Sequence, residues 1–477
     1  MKKRFYITTA IPYVNAAPHI GHALEFVQAD AIRRYHELLG EETLLLSGGD
    51  ENALKNVQEA EKSNIPIQQF VDKNSKLFAD LAKKLNVKFD VFQKGSNQKH
   101  HFLSSQKLWE LCNKNGDIYK KEYKGLYCVG CESFYTSEEL DKNGECFEHP
   151  GKKLEEVSEE NYFFKLSKYQ KELVDLVSNN KLHIFPESRK NEILSFLKQP
   201  LHDISISRTD ERAKKWGVPV PGDSTQRMYV WFDALNIYQS GIGFGWDDEM
   251  YKKWWPADVH VIGKGIIRFH AVYWPAFLLS ANLPLPKTLF VHGYITADGQ
   301  KMSKTIGNVI DPFKLIDKYG VDAVRYYFLR EIPPFDDGDY SDSRMQEIYD
   351  SDLANELGNL VLRITTLAEK DGVDASKIDK ELNSTVRSDV NRFIEQYQFN
   401  QALEYIWIII KNLNRKIDEN APWKQKKLGR ATFIIELIRE LHQVGKQLLP
   451  FLPKTAEEII KSTQGKIRKS APLFPKK

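Results

Sequence analysis

Apolar and polar positions alternate in Arg4–Ile11 (RFYITTAI), a segment rich in β-branched and aromatic residues, and this period of two predicts a strand. A loop with Pro12, Asn15 and Pro18 follows. A helical pattern then runs from about Ile20 to Leu39, where Gly40 stops it. The apolar run Glu42–Gly49 (ETLLLSGG) ends in Gly-Gly and predicts a buried parallel strand. Helical patterns occupy about 53–62, 67–86 and 99–115. Strand, helix and strand at crossover lengths predict an α/β fold with a doubly wound parallel sheet.

The pattern changes over 116–207, where Gly, Asn, Lys and Cys become frequent and strands look short. This stretch reads as an insertion with a small core of its own. The α/β texture then returns: Met228–Leu235 (MYVWFDAL), Asp258–Gly265 (DVHVIGKG) and Lys287–Ile295 (KTLFVHGYI) read as strands, with helices near 233–244 and 266–281. After about Ser343 strand signals vanish, and four or five amphipathic helices run to the end of the sequence. The expected organisation is an α/β domain split into 1–115 and 208–295, an insertion at 116–207, a connecting region at 296–343 and an all-α domain at 344–477.

Composition narrows this picture only moderately. At 477 residues, 42% hydrophobic and 28% charged, the chain reads as globular with two to four domains. A net charge of +3 is too mild to identify a nucleic-acid binder, but Lys411–Arg430 carries seven Lys/Arg against Asp418 and Glu419. That stretch is either a phosphate-facing surface or a solvated helix face. The N-terminal apolar stretch is broken by Thr8, Thr9, Pro12 and Asn15, so it makes no signal peptide, and no run is long enough to span a bilayer. Four cysteines make no disulfide framework, and three of them cluster with a histidine. A cytoplasmic protein with no membrane partner is expected.

Three groups of residues carry chemistry. In AAPHIGHALEF (16–26), His19 and His22 sit where the first strand's loop feeds the first helix. Helix N-terminal N–H groups attract anions there, Pro18 suits a helix entry, and Gly21 admits a ligand close to the backbone. Two phosphate donors or two surface histidines both fit this stretch taken alone. In DGQKMSKTIGNVID (298–311), Lys301 and Lys304 flank Met302 and Ser303 on a polar loop, where two lysines can neutralise departing pyrophosphate. Cys128-x2-Cys131, fourteen further residues and Cys146-x2-His149 have the spacing of a closed, structural zinc knuckle. Cys112, in LWELCNK, reads as a buried helical thiol.

The HIGH tetrapeptide at 19–22 and KMSKT at 301–305 resemble the paired signatures of the class I aminoacyl-tRNA synthetases. Their surroundings resemble the methionyl-tRNA synthetase family across the chain: ITTAIPYVNAAPHIGHA, YVWFDALNIY, VIGKGIIRFHAVYWPAFL, YGVDAVRYYFLRE and NAPW. The resemblance implies a Rossmann-type catalytic domain, a connective insertion, a stem-contact region at 296–343 and an anticodon-binding helix bundle. It implies that methionine attacks the α-phosphate of ATP with Mg2+ and that the adenylate then acylates tRNA(Met), initiator and elongator. His19 and His22 would hold ATP phosphates, with Pro18, Gly21, Met302 and Ser303 around the nucleotide, and Lys301 and Lys304 would stabilise the leaving pyrophosphate. Asp50 would hold the methionine ammonium, while Tyr13, Trp231, Tyr238 and His270, with Ile11, Ala234, Leu235 and Ile266, would line its side-chain pocket. Asn359, Arg363, Pro422 and Trp423 would read the CAU anticodon.

Thr305 replaces the serine that usually ends the second signature and keeps its hydroxyl. Two departures bear on the pocket. The family usually follows its aspartate with Glu-His-Gly, whereas this chain has Glu51, Asn52 and Ala53; where it has Gly-Lys-Asp, this chain has Gly265, losing a carboxylate that could pair with Arg208. The insertion is too short for the editing domain of the isoleucine, valine and leucine enzymes, and the cysteine enzyme keeps its zinc in the amino-acid pocket. A nucleotidyltransferase without tRNA does not explain the helical tail, and a non-catalytic RNA-binding relative does not explain the retention of all four signature His and Lys residues. No appended dimerisation domain is evident, so a monomer is expected.

Overall fold

The computed structural model describes the chain except residues 1, 129–132, 136–139, 147–153, 303–306, 379–387, 426 and 476–477. It divides into two compact units, one of 1–18, 40–82 and 88–292, the other of 19–39, 83–87 and 293–477.

The first unit is built on a six-stranded, all-parallel sheet. Its order is Val91–Lys94, Glu42–Gly49, Arg4–Thr8, Val259–Gly263, Thr288–His292 and His183–Phe185. The order reverses between Arg4–Thr8 and Val259–Gly263, and in such sheets ligands collect outside the strand ends at that reversal. Glu42–Gly49 has the bounds its apolar run predicts, whereas the strands expected at 4–11, 258–265 and 287–295 are shorter, at Arg4–Thr8, Val259–Gly263 and Thr288–His292. The edge strand His183–Phe185 comes from within 116–207, too short to leave a pattern.

The stretch Met228–Leu235, read above as a strand, is corrected by the structure. A strand ends at Met228, paired antiparallel to Ser207–Thr209, and Val230–Leu235 is helical. All six residues of that helix are buried, so no polar face marks its period and a short apolar run reads equally as strand or helix. The core of this unit is aromatic: Phe232 packs on Trp109 and Phe277 at centroid distances of 5.4 and 4.7 Å, and Phe164 packs on Phe277 at 4.9 Å. Cys112 is fully buried, donates to the Phe277 carbonyl, and burial pushes its thiol up to about 12. Within 116–207 the main feature is a long antiparallel pair, Ile118–Cys128 against Glu155–Phe164, and Phe164, Leu173, Leu182 and Leu197 join the core of this unit rather than a separate one.

The second unit holds the helix Ile20–Leu38, a small three-stranded sheet (Gln300–Lys301, Ile295–Ala297, Gly338–Tyr340) and the C-terminal helices. Among the described residues no helix is long and apolar enough to cross a membrane. The centre of this unit is Arg325, which is wholly buried. Its guanidinium pairs with Asp30 Oδ2 at 2.9 Å and donates to the carbonyls of Phe451 (2.8 Å), Pro450 (3.0 Å) and Leu85 (3.3 Å). Burial alone would raise the Asp30 carboxyl, but Arg325, Arg34 and Arg33 together hold it below its ordinary value. One ion pair thus fastens the Ile20–Leu38 helix to Val321–Arg330 and to the turn before Pro453–Ser462.

Removing one member of a buried pair strands the other, at a cost of about 3–5 kcal/mol. Arg325→Ala is expected to lower stability by that amount in chemical denaturation, whereas exposed Lys62→Ala, paired with Glu59, is expected to change it by less than about 1 kcal/mol. Because the folded Asp30 titrates below its unfolded value of about 3.9, its contribution is complete above that value. It is expected to be lost as pH falls through the lower folded value.

Candidate active site

The helix Ile20–Leu38 begins with a reciprocal cap made by the two signature histidines. His19 is the N-cap, extended at φ −118° and ψ 177°. Its Nδ1 accepts from the Gly21 N–H at 3.0 Å, and His22 Nδ1 accepts from the His19 N–H at 3.2 Å. This is the geometry of a capping box, with imidazoles in place of the usual hydroxyl and carboxylate. The rings lie 4.0 Å apart at 36°. An Nδ1 that accepts places the ring proton of a neutral imidazole on Nε2. Burial pushes His19 down to about 4, so that ring is neutral at physiological pH. A Cβ on residue 21 would sit 2.8 Å from His19 Cε1, so the cap requires glycine there.

The same Cβ would stand 3.7 Å from Ile295 Cγ2, so the cap lies beside the strand Ile295–Ala297 that leads into the second signature. That strand turns at Asp298 and Gly299, both at positive φ, and pairs back through Gln300–Lys301. Asp339 fixes the turn by accepting from Gly299 N–H at 2.8 Å and Thr296 Oγ1 at 2.5 Å. Met302 follows, while Ser303, Lys304 and Thr305 lie outside the described residues. The described parts of both signatures therefore belong to one unit.

The residues expected around methionine gather in the other unit, at the sheet's reversal. Pro18 closes its first segment. Tyr13 and Asp50 form an isolated parallel bridge, the Asp50 N–H donates to the Pro12 carbonyl at 2.9 Å, and the Asn56 amide holds the Asp50 carbonyl at 2.8 Å. The Tyr13 ring meets Trp231 edge-on at 6.3 Å. Trp231 in turn stacks on Phe269, 3.6 Å apart at 5°. Tyr238 Oη donates to His270 Nε2 at 2.7 Å, because His270 Nδ1–H is committed to the Ile266 carbonyl at 2.9 Å. Burial pushes His270 down to about 4, which keeps it a neutral acceptor. Ala234 and Leu235 share the Val230–Leu235 helix with Trp231, and Ile11 and Ile266 pack against the same core.

Phe269 was not expected from the sequence, since an aromatic in a long apolar helix reads as packing; its stacking partner Trp231 is the only signal. Arg208 is buried with its guanidinium 5.6 Å from the Tyr229 ring centroid, so an aromatic face neighbours it in a chain that has Gly265 instead of a carboxylate.

In the C-terminal helices, Asn359 opens Asn359–Asp371 and Arg363 lies one turn on, bonded to Asp418 at 2.5 Å and Asn414 at 3.4 Å. Ala421, at φ 40°, lifts Pro422–Lys424 into a short turn that leaves Trp423 52% exposed. The Cys128 and Cys146 sulfurs are both buried and 3.4 Å apart, while Cys131 and His149 lie outside the described residues.

A family model described as "tRNA synthetases class I (M)" matches residues 5–365. The chain belongs to this family. Relatives within it include the methionine–tRNA ligase of Brucella suis, 40% identical over 96% of this chain and 91% of that protein. That of Thermotoga maritima is 40% identical over 96% of this chain and 75% of that protein. Among solved structures, Mycobacterium tuberculosis methionyl-tRNA synthetase in complex with methionyl-adenylate superposes with a TM-score of 0.91 at 36% identity, covering 99% of this chain and 100% of that one. These likenesses carry the parallel α/β sheet and the helical C-terminal region together.

For this class I (M) synthetase chain, 15N NMR is expected to show His19 neutral at pH 6 as the Nε2–H tautomer, titrating only as pH falls towards about 4. A midpoint near the ordinary 6.5 would contradict the buried, capping geometry.

Proposed function

We propose that the chain works as a methionine–tRNA ligase in two steps, with the following assignment of residues. Methionine's carboxylate attacks the α-phosphate of Mg-ATP, releasing pyrophosphate, and the methionyl-adenylate then esterifies the 3′-terminal adenosine of tRNA(Met), initiator or elongator. The observation that carries this reading is the reciprocal histidine cap on a synthetase-family chain: two imidazoles whose Nδ1 atoms are spent on the backbone. Their Nε2–H groups, with the helix N-terminus behind them, stabilise charge developing on phosphate without a covalent nucleophile. Lys301 and Lys304 take the pyrophosphate charge, and Pro18, Gly21, Met302 and Ser303 bind the nucleotide.

Asp50, nearly buried at a strand end, holds the ammonium. Tyr13, Trp231, Tyr238 and His270 form a soft, aromatic pocket with Ile11, Ala234, Leu235 and Ile266, suited to a thioether. Asn359, Arg363, Pro422 and Trp423 receive the CAU anticodon, with the basic 411–430 stretch on the phosphates.

Two buried thiol sulfurs 3.4 Å apart suit a pair of thiolates on one tetrahedral ion, so Cys128, Cys131, Cys146 and His149 are assigned a structural Zn2+. That ion would hold the insertion's fold and take no part in the chemistry. None of the three cysteines whose side chains are described is in a disulfide, in keeping with a cytoplasmic chain.

Purified chain is expected to charge tRNA carrying CAU with methionine and to discriminate against other anticodons. Base stacking on an aromatic contributes about 1–3 kcal/mol, so Trp423→Ala is expected to cut kcat/KM for tRNA by roughly 10–100-fold while leaving methionine activation intact. Charging with another amino acid alone would refute the substrate; unaltered discrimination in the variant would refute the role of Trp423. Metal analysis is expected to give one zinc per chain, lost in Cys128→Ser. A zinc-free, fully folded parent would refute the knuckle.

A further inference from the structure

Asn52 is one of the residues by which this chain departs from its family's usual pattern, and its surroundings give it a task. Its Nδ2 donates to Asp233 Oδ2 at 2.7 Å and to the Gly95 carbonyl at 2.8 Å, so both amide protons are used. Its Oδ1 has no partner among the described residues. Turning the amide over would set that oxygen against a carboxylate and a carbonyl, so the orientation is fixed. Asn52 is held here for what it donates.

The acceptor, Asp233, is buried on the helix Val230–Leu235, between Trp231 and Ala234. Its other oxygen takes His101 Nε2–H at 2.5 Å and Ser105 Oγ at 3.3 Å, and His101 Nδ1 meets Ser240 Oγ at 2.8 Å. A buried carboxylate needs such donors, and each bond to it is charge-assisted. At the strand end the neighbouring side chains divide their tasks: Glu51 is held by Ser75 and Ser96, and Asn52 reaches Asp233. Asp50, assigned to the substrate ammonium, is two residues from Asn52.

We propose that Asn52 is a positioning residue for the amino-acid pocket. Acting through Asp233, it fixes the distance between the ammonium-binding strand end and the helix that carries the side-chain wall. The proposal rests on the methionine-activation reading above. Asn52 touches no substrate; it sets where Trp231, Ala234 and Leu235 stand relative to Asp50. An imidazole at position 52 supplies an N–H donor as well, which explains how a family that usually has histidine there accepts asparagine.

The test is ATP–pyrophosphate exchange by the full chain and two variants, with methionine and ATP varied separately. One charge-assisted bond to a buried acceptor corresponds to roughly a tenfold change in an equilibrium. Asn52→Ala is therefore expected to raise the methionine KM about tenfold, with kcat and the ATP KM changed less than about twofold. Asn52→His is expected to keep the methionine KM within about twofold of the parent. An unchanged methionine KM in Asn52→Ala overturns the proposal. So does a common fall in every parameter that Asn52→His fails to rescue, since that marks general loss of structure. If Asn52→Ala does not fold, Asn52→His decides, because a raised methionine KM in a folded histidine variant also overturns it. Absence of methionine-dependent exchange in the parent overturns the methionine reading itself, a result distinct from an active parent with an indifferent variant.

Discussion

The site depends on two imidazoles doing the work of a helix cap. A helix start leaves backbone N–H groups without intrahelical partners, and hydroxyls or carboxylates usually satisfy them. Here His19 and His22 satisfy them reciprocally, through Nδ1 in each case. The tautomer is then no longer free: the ring proton is on Nε2, where a ligand can meet it. Burial keeps His19 uncharged, so its N–H is held at low reorganisation cost rather than as a solvated cation. Local structure and chemistry are the same set of bonds, and Gly21 is the residue that lets them coexist.

That helix is held at a second point. Eleven residues beyond the cap, Asp30 meets Arg325 in a pair with no exposed surface, and the guanidinium's remaining donors reach carbonyls at 85, 450 and 451. A pair this buried does little for stability compared with a well-packed apolar substitute, yet it tolerates no loss of one partner. Its value here lies in specifying geometry, since a planar fork with four acceptors admits one arrangement. The proposed methionine pocket is fixed by different means. Stacked and edge-on aromatics set the wall, and neutral hydrogen-bonded pairs such as Tyr238 with His270 supply polarity without charge.

Much of this was legible in the sequence, and the exceptions have physical reasons. The strands Arg4–Thr8 and Glu42–Gly49 and the helix from Ile20 carry clear periods and clear stops, so the sheet's first half could be anticipated. Val230–Leu235 could not, because a helix buried on every side has no amphipathic signature. The pairing of HIGH with KMSKT pointed to nucleotide chemistry, but nothing in the letters said that the histidines cap each other. Cap geometry is a matter of ψ at His19 and of ring rotation, neither of which is encoded by spacing. Asn52 showed only as a departure because only the residue type was visible; its donor role needs Asp233 brought from 181 residues away. The exposure of Trp423 is likewise invisible in its residue type, since a tryptophan after a proline suits a core as well as a surface.

With Nδ1 serving the cap and Nε2 the proposed phosphate contact, the two roles of His19 are separable. Asparagine caps a helix through its side-chain oxygen but has nothing to place at Nε2. Methionine-dependent ATP–pyrophosphate exchange by His19→Asn, measured beside its thermal melt, tests this directly. The variant is expected to melt within about 2 °C of the parent, the shift of a few tenths of a kcal/mol in a chain this large, and to lose exchange activity roughly 100-fold, the scale of removing one preorganised donor. Exchange at the parental rate, or a loss of activity only in step with a collapse in stability, would contradict it.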